Sequence, residues 1–354
     1  MRRLLGILIA AAVVGGLTTA AIAATGGVSK NAPKKKVAAK AAPASLVHPG
    51  EFEINGDVAQ PRTLKVSELA ILPQQTISVT IDGATHTETG PYLESVLNLA
   101  VPNYLACNKN NLLRWWIQVT SRDAGSTVLG VGEVDPGFGN RPAILSISED
   151  GKFLTMQGPR LIVPGDGAST RDIAHVEMVS TGMAAPQLPI GGCTASGTPT
   201  YISPTIGSLI VNGDVANPTT YSFAQLQAMP QTTQTVSFLS GSTPTTNTEA
   251  GPLLSSILDA AQPKFKKTSR NDKLHFYVAI TGSDGYTSIL SYGEIDSSLG
   301  NRNPIVSLSE NGTSLATVGP RILQNGDVKG GRAVSGTVAV TVFRVAPLTP
   351  ASSC

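Results

Sequence analysis

The sequence predicts an α+β protein made of two tandem copies of one mixed-sheet domain with short helices. One observation is a long signature that occurs twice. Gly132 to Asp166 reads GEVDPGFGNRPAILSISEDGKFLTMQGPRLIVPGD, and Gly293 to Asp327 reads GEIDSSLGNRNPIVSLSENGTSLATVGPRILQNGD. Glu133, Asp135, Gly139, Asn140, Arg141, Glu149, Gly158, Arg160 and Asp166 recur as Glu294, Asp296, Gly300, Asn301, Arg302, Glu310, Gly319, Arg321 and Asp327. The other observation is compositional. Charged residues make up 14% and aromatics 5%, beside 36 Gly and 24 Pro, a profile of short strands and many turns. A chain of 354 residues is long enough for two such domains, each with its own core.

The chain opens with features of export. Residues 1–24 have the form of a signal peptide: Arg2 and Arg3, an uncharged apolar run from Leu4 to Leu17, and an Ala21-Ile22-Ala23 cleavage pattern. An uncleaved anchor is the alternative, and either implies a periplasmic or extracellular protein. Leu4-Leu5 follow the arginine pair directly, so the twin-arginine context is missing. Residues 25–47 read as a disordered Lys/Ala/Pro tether, either a solvated spacer or a peripheral contact with an anionic envelope surface. The formal charge of +2 falls to 0 without Arg2 and Arg3. It reaches about −5 without Lys30, Lys34, Lys35, Lys36 and Lys40 as well. A mildly acidic body argues against a nucleic-acid partner.

The first domain, 48–182, begins with an alternating strand at Phe52-Glu53-Ile54 and a tight hairpin turn at Asn55-Gly56-Asp57. The second, 205–346, repeats this at Leu209-Ile210-Val211 and Asn212-Gly213-Asp214. Leu64 to Leu69 and Tyr221 to Leu226 are strands entering one-turn helices, capped by Ser67 in the first copy and ended by Pro73 or Pro230. Thr76 to Ile81 and Thr235 to Leu239 are β-branched strands. Gly90-Pro91 and Gly251-Pro252 each start a short helix with proline in its first turn, and Leu93, Val96, Leu97 and Ala100 share one face. Strands follow at Trp115 to Thr120 and Leu274 to Thr281. Turns at Asp123-Ala124-Gly125 and Asp284-Gly285-Tyr286 then lead into the signature. Residues 183–204 are a Pro/Gly/Ser/Thr linker and 347–354 a tail of the same kind.

The ordered motifs carry a resemblance: Asn-Gly-Asp-Val, the Gly-Pro helix, DGYTSILSYGEID from Asp284 to Asp296, the Gly-Asn-Arg loop and GPRLIVPGD from Gly158 to Asp166. In this order, over roughly 50–180 and again over 207–345, they resemble the molybdopterin-binding domain of the sulfite oxidase family, especially its short exported relatives. The resemblance implies a mixed-sheet fold, a groove for a pterin, and a molybdenum held by one cysteine thiolate just beyond the strand matching Thr76 to Ile81. That place reads Asp82-Gly83-Ala84-Thr85-His86 in one copy and Ser240-Gly241-Ser242 in the other, without cysteine. A thiolate is the soft donor that tunes the metal; carboxylate and hydroxyl oxygens are hard.

Candidate chemistry is sparse. Cys107, Cys193 and Cys354 are an odd set for an oxidising compartment. Cys107–Cys193 is the favoured disulfide, Cys193–Cys354 the alternative, and a metal-ligand role for Cys107 the sharper one. His48, His86, His175 and His275 have no metal-ligand spacing, although His86 lies near Asp82 and Glu88. Glu133, Asp135, Asn140 and Arg141, with Arg160 and Asp123, are the ligand-binding candidates. Glu294, Asp296, Asn301, Arg302, Arg321 and Asp284 are their counterparts. Paired carboxylates and an arginine fork suit a polar or anionic ligand; the bland alternative is an arginine that neutralises Glu133 or Asp135 and ties the loop down. No nucleophilic triad or phosphate loop occurs, and Gly130-Val131-Gly132 precedes no expected helix. The sequence thus supports a non-catalytic binding or envelope-associated module without a catalytic residue or a metal site. Its ligand or envelope partner is unspecified. A molybdopterin-dependent oxidoreductase of the sulfite oxidase family, with molybdopterin as its cofactor, is the alternative.

Overall fold

Alternation of apolar and polar residues sets the first strand: in Glu51–Gly56, Phe52 and Ile54 are fully buried while their neighbours remain partly exposed. A computed structural model describes residues 48–81, 83–105, 109–123, 125–184 and 206–346. The expected signal peptide, tether, tail, nearly all of the linker, Asp82, Ala124 and the three cysteines lie outside the described residues. Glu51–Gly56 runs antiparallel to Arg62–Lys65 and parallel to Val176–Met183. Trp115–Ser121 and Ser126–Gly130 complete a five-stranded sheet.

The second half builds a five-stranded sheet with the same order. Thr219–Ser222 leads, followed by Ser208–Gly213, Thr337–Arg344, Phe276–Gly282 and Thr287–Ser291. Each half also carries a long hairpin, Gln74–Ile81 with Ala84–Pro91 and Thr232–Ser240 with Thr243–Gly251, widened by two short strands into a four-stranded sheet. Helices are few and short, so the class is mixed α+β.

The helices Leu93–Asn98 and Leu254–Ala261 cover the sheets with the apolar faces expected. Leu93, Val96, Leu97 and Ala100, like Leu254, Ile257 and Leu258, are fully buried. Each such Leu, Ile or Val side chain is worth roughly 1.5–3 kcal/mol. The proline role differs from expectation. Pro91 ends its strand and the helix starts at Leu93, because Gly90 must first pass the neighbouring backbone. A Cβ on Gly90 would meet Leu145 O at 2.0 Å, and one on Gly251 would meet Val306 O at 2.0 Å.

The tight turns expected at Asn55-Gly56 and Asn212-Gly213 are strand ends instead, and the chain loops through residues 57–61 before it returns. Gly56 has φ +91°, and a Cβ there would strike Thr181 O at 2.1 Å. Close strand approach, not a hairpin, demands that glycine. The turn Val66–Ile71 begins before Ser67 and is capped by Glu68, whose carboxylate accepts from Lys65 N at 2.6 Å. In the second half Ser222 caps Phe223–Gln227. The strand expected from Leu274 starts at Phe276, and Val131–Val134 forms a helical turn after Gly130.

Val176–Met183 and Phe276–Gly282 are buried on both faces because the two halves belong to one compact unit. Val128, Tyr277, Ala279 and Ile289 form an apolar cluster between the sheets, flanked by Trp116 and Phe343. Replacing Gly90 or Gly251 with alanine should cost about 1–3 kcal/mol by overpacking. Urea titration checks this, and an unchanged midpoint would contradict the close backbone approach.

Candidate functional site

The signature loops fold back on themselves. Asp135 Oδ1 accepts from Gly137 N at 2.6 Å, Gly139 N donates to Gly132 O at 2.8 Å, and Arg141 N donates to Glu133 O at 3.1 Å. Asn140 and its counterpart Asn301 sit at φ +50° and +48°, the left-handed region that asparagine tolerates. Asp296, Asn301 and Arg302 repeat these bonds, and Lys273 Nζ approaches Asp296 Oδ2 at 2.5 Å.

The two loops meet at the junction of the halves and exchange bonds. Arg141 Nη2 donates to Gly300 O at 2.6 Å, and Arg302 Nη2 donates to Gly139 O. Gly167 N donates to Leu299 O at 2.9 Å, and Val328 N to Phe138 O at 2.7 Å. The Arg141 guanidinium reaches neither the Glu133 nor the Asp135 carboxylate; its other branch donates to Asp166 Oδ1 at 3.1 Å.

Glu133 is claimed by Arg171, Nη1 to Oε1 2.5 Å, and the same guanidinium grips Asp166. Glu294 is claimed by Arg332 at 2.6 and 2.7 Å. All four of these paired side chains, Glu133, Arg171, Glu294 and Arg332, are fully buried. Each arginine also lies against a glycine of the opposite half. A Cβ on Gly293 would come within 2.5 Å of Arg171 Cδ, and one on Gly139 within 2.5 Å of Arg332 Nη1.

The two glutamates differ in their electrostatics. Burial pushes Glu133 up, but the Arg171 guanidinium and the Ser291 hydroxyl, donating to Oε2 at 2.7 Å, outweigh it and hold Glu133 below its usual value. Burial pushes Glu294 up to about 7 despite Arg332, and the Glu133 charge adds to the rise. Gly130 stands where Ser291 stands in the second half, so Glu294 lacks an equivalent hydroxyl.

Other candidates lie elsewhere. Arg160 Nη1 bridges Glu88 at 2.9 Å and Glu149 at 2.7 Å on the first hairpin sheet, and Arg321 meets Glu310 at 2.6 Å on the second. Asp123 pairs with His175 at 2.5 Å. His86 Nδ1 lies 2.9 Å from Asp150 Oδ2 and 3.6 Å from Glu149 Oε1, so these two, rather than Glu88, are its carboxylate partners. Among the described residues no group of His, Cys, Asp and Glu is arranged to hold a metal.

A cleft of about 480 Å³ opens at the tip of the second hairpin, where the halves meet. Leu239, Gly241 and Asp284 line it beside Lys109, Phe138 and Lys329. Lys329 Nζ stands 6.0 Å from the Phe138 ring centroid. Tyr286 donates to Gly331 O at 2.5 Å and accepts from Asn110 Nδ2 at 3.2 Å. Sequence reasoning named Leu239, Gly241, Asp284 and Tyr286 but missed the lysines of this lining, since Lys109 and Lys329 come from opposite halves with no spacing rule between them. It also missed Arg171 and Arg332; carrying the repeated signature five residues past Asp166 and Asp327 reaches both.

No protein-family model and no curated protein matches the chain. Among solved structures, the sulfane dehydrogenase SoxCD from Paracoccus pantotrophus is similar over 66% of this chain and 56% of its own, at 12% identity and a TM-score of 0.29. The chain therefore spans little more than half the length of that protein, and a likeness so slight carries neither its fold nor its activity over.

Removing Glu133 leaves the buried Arg171 with Asp166 as its remaining carboxylate, so Glu133→Ala should cost about 3 kcal/mol by urea unfolding, the low end for breaking a buried pair. The Glu294 carboxyl binds its proton more tightly folded than unfolded. Its contribution to stability is therefore present at low pH and is lost as pH rises from the ordinary glutamate range through about 7. Melting temperatures of wild type and Glu294→Gln across this window should show a shallower decline for the variant. Parallel curves would contradict the assignment.

Proposed function

We propose that this chain is an exported, non-catalytic binding protein. Its halves are tandem copies of a sulfite-oxidase-like, molybdopterin-binding-type domain that has lost the molybdenum cysteine. The observation that carries this reading is the lining of the hairpin-tip cleft. It offers ammonium groups from Lys109 and Lys329, the Asp284 carboxylate and the Tyr286 phenol, and no sulfur among its described residues.

Those groups do not fit molybdenum, which this family holds through a soft thiolate. They fit a small organic anion. The two lysines supply charge, Phe138 supplies an apolar wall, and Asp284 rejects a second negative group placed beside it. Export through the amino-terminal segment and peripheral attachment through the Lys-rich stretch at 25–47 belong to the same proposal. Deleting that stretch should release the protein from the envelope fraction.

One observation favours the oxidoreductase reading: Cys107 precedes the cleft residue Lys109 by two positions. Elemental analysis of protein from its native host separates the two. Absence of stoichiometric molybdenum is expected, whereas near-stoichiometric metal lost in Cys107→Ser would establish the enzyme instead. For the cleft itself, 8-anilinonaphthalene-1-sulfonate is a suitable anionic aromatic probe. The double variant Lys109→Gln/Lys329→Gln should bind it about ten-fold more weakly, as expected for loss of charge-assisted contacts. Equal affinity would exclude the lysine cleft as an anion site.

A further inference from the structure

Elsewhere at the junction, a groove of about 440 Å³ is lined by Arg141 from the first half and Arg302 from the second, with no carboxylate among its described lining residues. A second hollow of about 420 Å³ shares Arg302 and Gly326 with it, and its described lining residues also include no acid. Arg302 is the unusual member. Arg141 has Asp166 as an ion-pair partner, but Arg302 makes no ion pair among the described residues; its branches reach only the carbonyls of Asn325 and Gly139.

Arg302 Nε is buried without a hydrogen-bond partner. Burial and the nearby Arg141 charge hold the Arg302 guanidinium below its ordinary value, and Glu294 and Asp327, both engaged with Arg332, offset this only in part. Arg302 faces the like charge of Arg141 without an acid of its own among the described residues, a counter-charge that a bound anion would supply. The rest of the lining says what carries the anion. Gln75, Asn140 and Asn303 offer amides, each both donor and acceptor, and Tyr92 offers a ring and a hydroxyl. Amides match the paired hydroxyls of a sugar, and an arginine fork matches a carboxylate.

We propose that this groove binds an acidic saccharide, its carboxylate between Arg141 and Arg302 and its hydroxyls on the amide-lined walls. The site is separate from the lysine cleft and does not depend on whether the protein carries a cofactor.

The test is calorimetric titration of the intact protein with glucuronate, inorganic sulfate and glucose, with ionic strength held fixed. Glucuronate should bind, sulfate about ten-fold more weakly, and glucose not measurably. Arg302→Gln should weaken glucuronate at least about ten-fold. Because that arginine also ties two loops together, Gln75→Glu serves as a second variant. It places a carboxylate beside the arginines and should abolish binding while the melting temperature is kept. No glucuronate binding by wild type, or unchanged affinity in a folded Gln75→Glu variant, overturns the proposal. Sulfate binding as tightly as glucuronate overturns the saccharide part. Glucuronate binding by protein found loaded with molybdenum would sink the non-catalytic reading and leave this one standing.

Discussion

The structure depends on placing charge in a place that water does not reach. Glu133 with Arg171, and Glu294 with Arg332, lie fully buried where the two halves meet. Ions taken out of water lose several kcal/mol each, so such pairs persist only where geometry and further hydrogen bonds offset the loss. Here the offset is visible. Arg171 uses three nitrogens on Glu133 and Asp166, and Ser291 from the other half completes the Glu133 shell. The glycines follow from the same constraint. Gly293 leaves room for the Arg171 stem, and Gly139 for the Arg332 fork, so the loops are glycine-rich because an arginine from the opposite half occupies the space of a side chain.

The halves match in topology but not in chemistry, and the mismatches fall around this network. Ser291 has only Gly130 opposite it, which leaves Glu294 with less compensation than Glu133. Asp296 has Lys273, whereas Leu112 takes that place in the first half. Among the described residues Asp135 consequently has no lysine in an ion pair, and burial together with the Asp135 charge pushes Glu94 up to about 7. Asp272 is gripped by both branches of Arg344, while Asn111 instead accepts from Trp115 Nε1 and Leu105 N. The second half thus pairs Asp272 and Asp296 with its own cations, whereas the first surrounds Glu133 more fully than the second surrounds Glu294.

What the sequence made legible follows from locality. Alternation identified Phe52 and Ile54 as inward-facing, and helical spacing identified Leu93, Val96, Leu97 and Ala100, because each pattern is set by a few adjacent residues. Glycine was read less well. Asn55-Gly56 carries the same positive-φ signal whether it turns a hairpin or admits a neighbouring strand, and only the position of Thr181 decides between them. The loop residues were found because they recur, yet their partners were not. Arg171 and Arg332 lie just beyond the recurring stretch, and the Arg141 bond to Gly300 crosses between halves, where sequence spacing holds no information. The cleft at Lys109 and Lys329 was hidden for the same reason.

Those crossed bonds also bear on how the junction can bind anything. Arg141 and Arg302 each spend one branch on a carbonyl of the opposite half, so the separation of the two guanidinium groups is set by how the halves dock and not by either loop alone. Docking in turn rests on apolar contact between the sheets and on the buried pairs beneath. A shift between halves would therefore disturb the arginine groove and the lysine cleft together, since each takes residues from both sides. Rigid placement of like charges costs electrostatic energy in the empty protein, and that same cost becomes affinity once a counter-charge arrives, because little reorganisation remains to be done. A junction held by buried ion pairs is thus suited to presenting fixed cations, whichever anion each hollow receives.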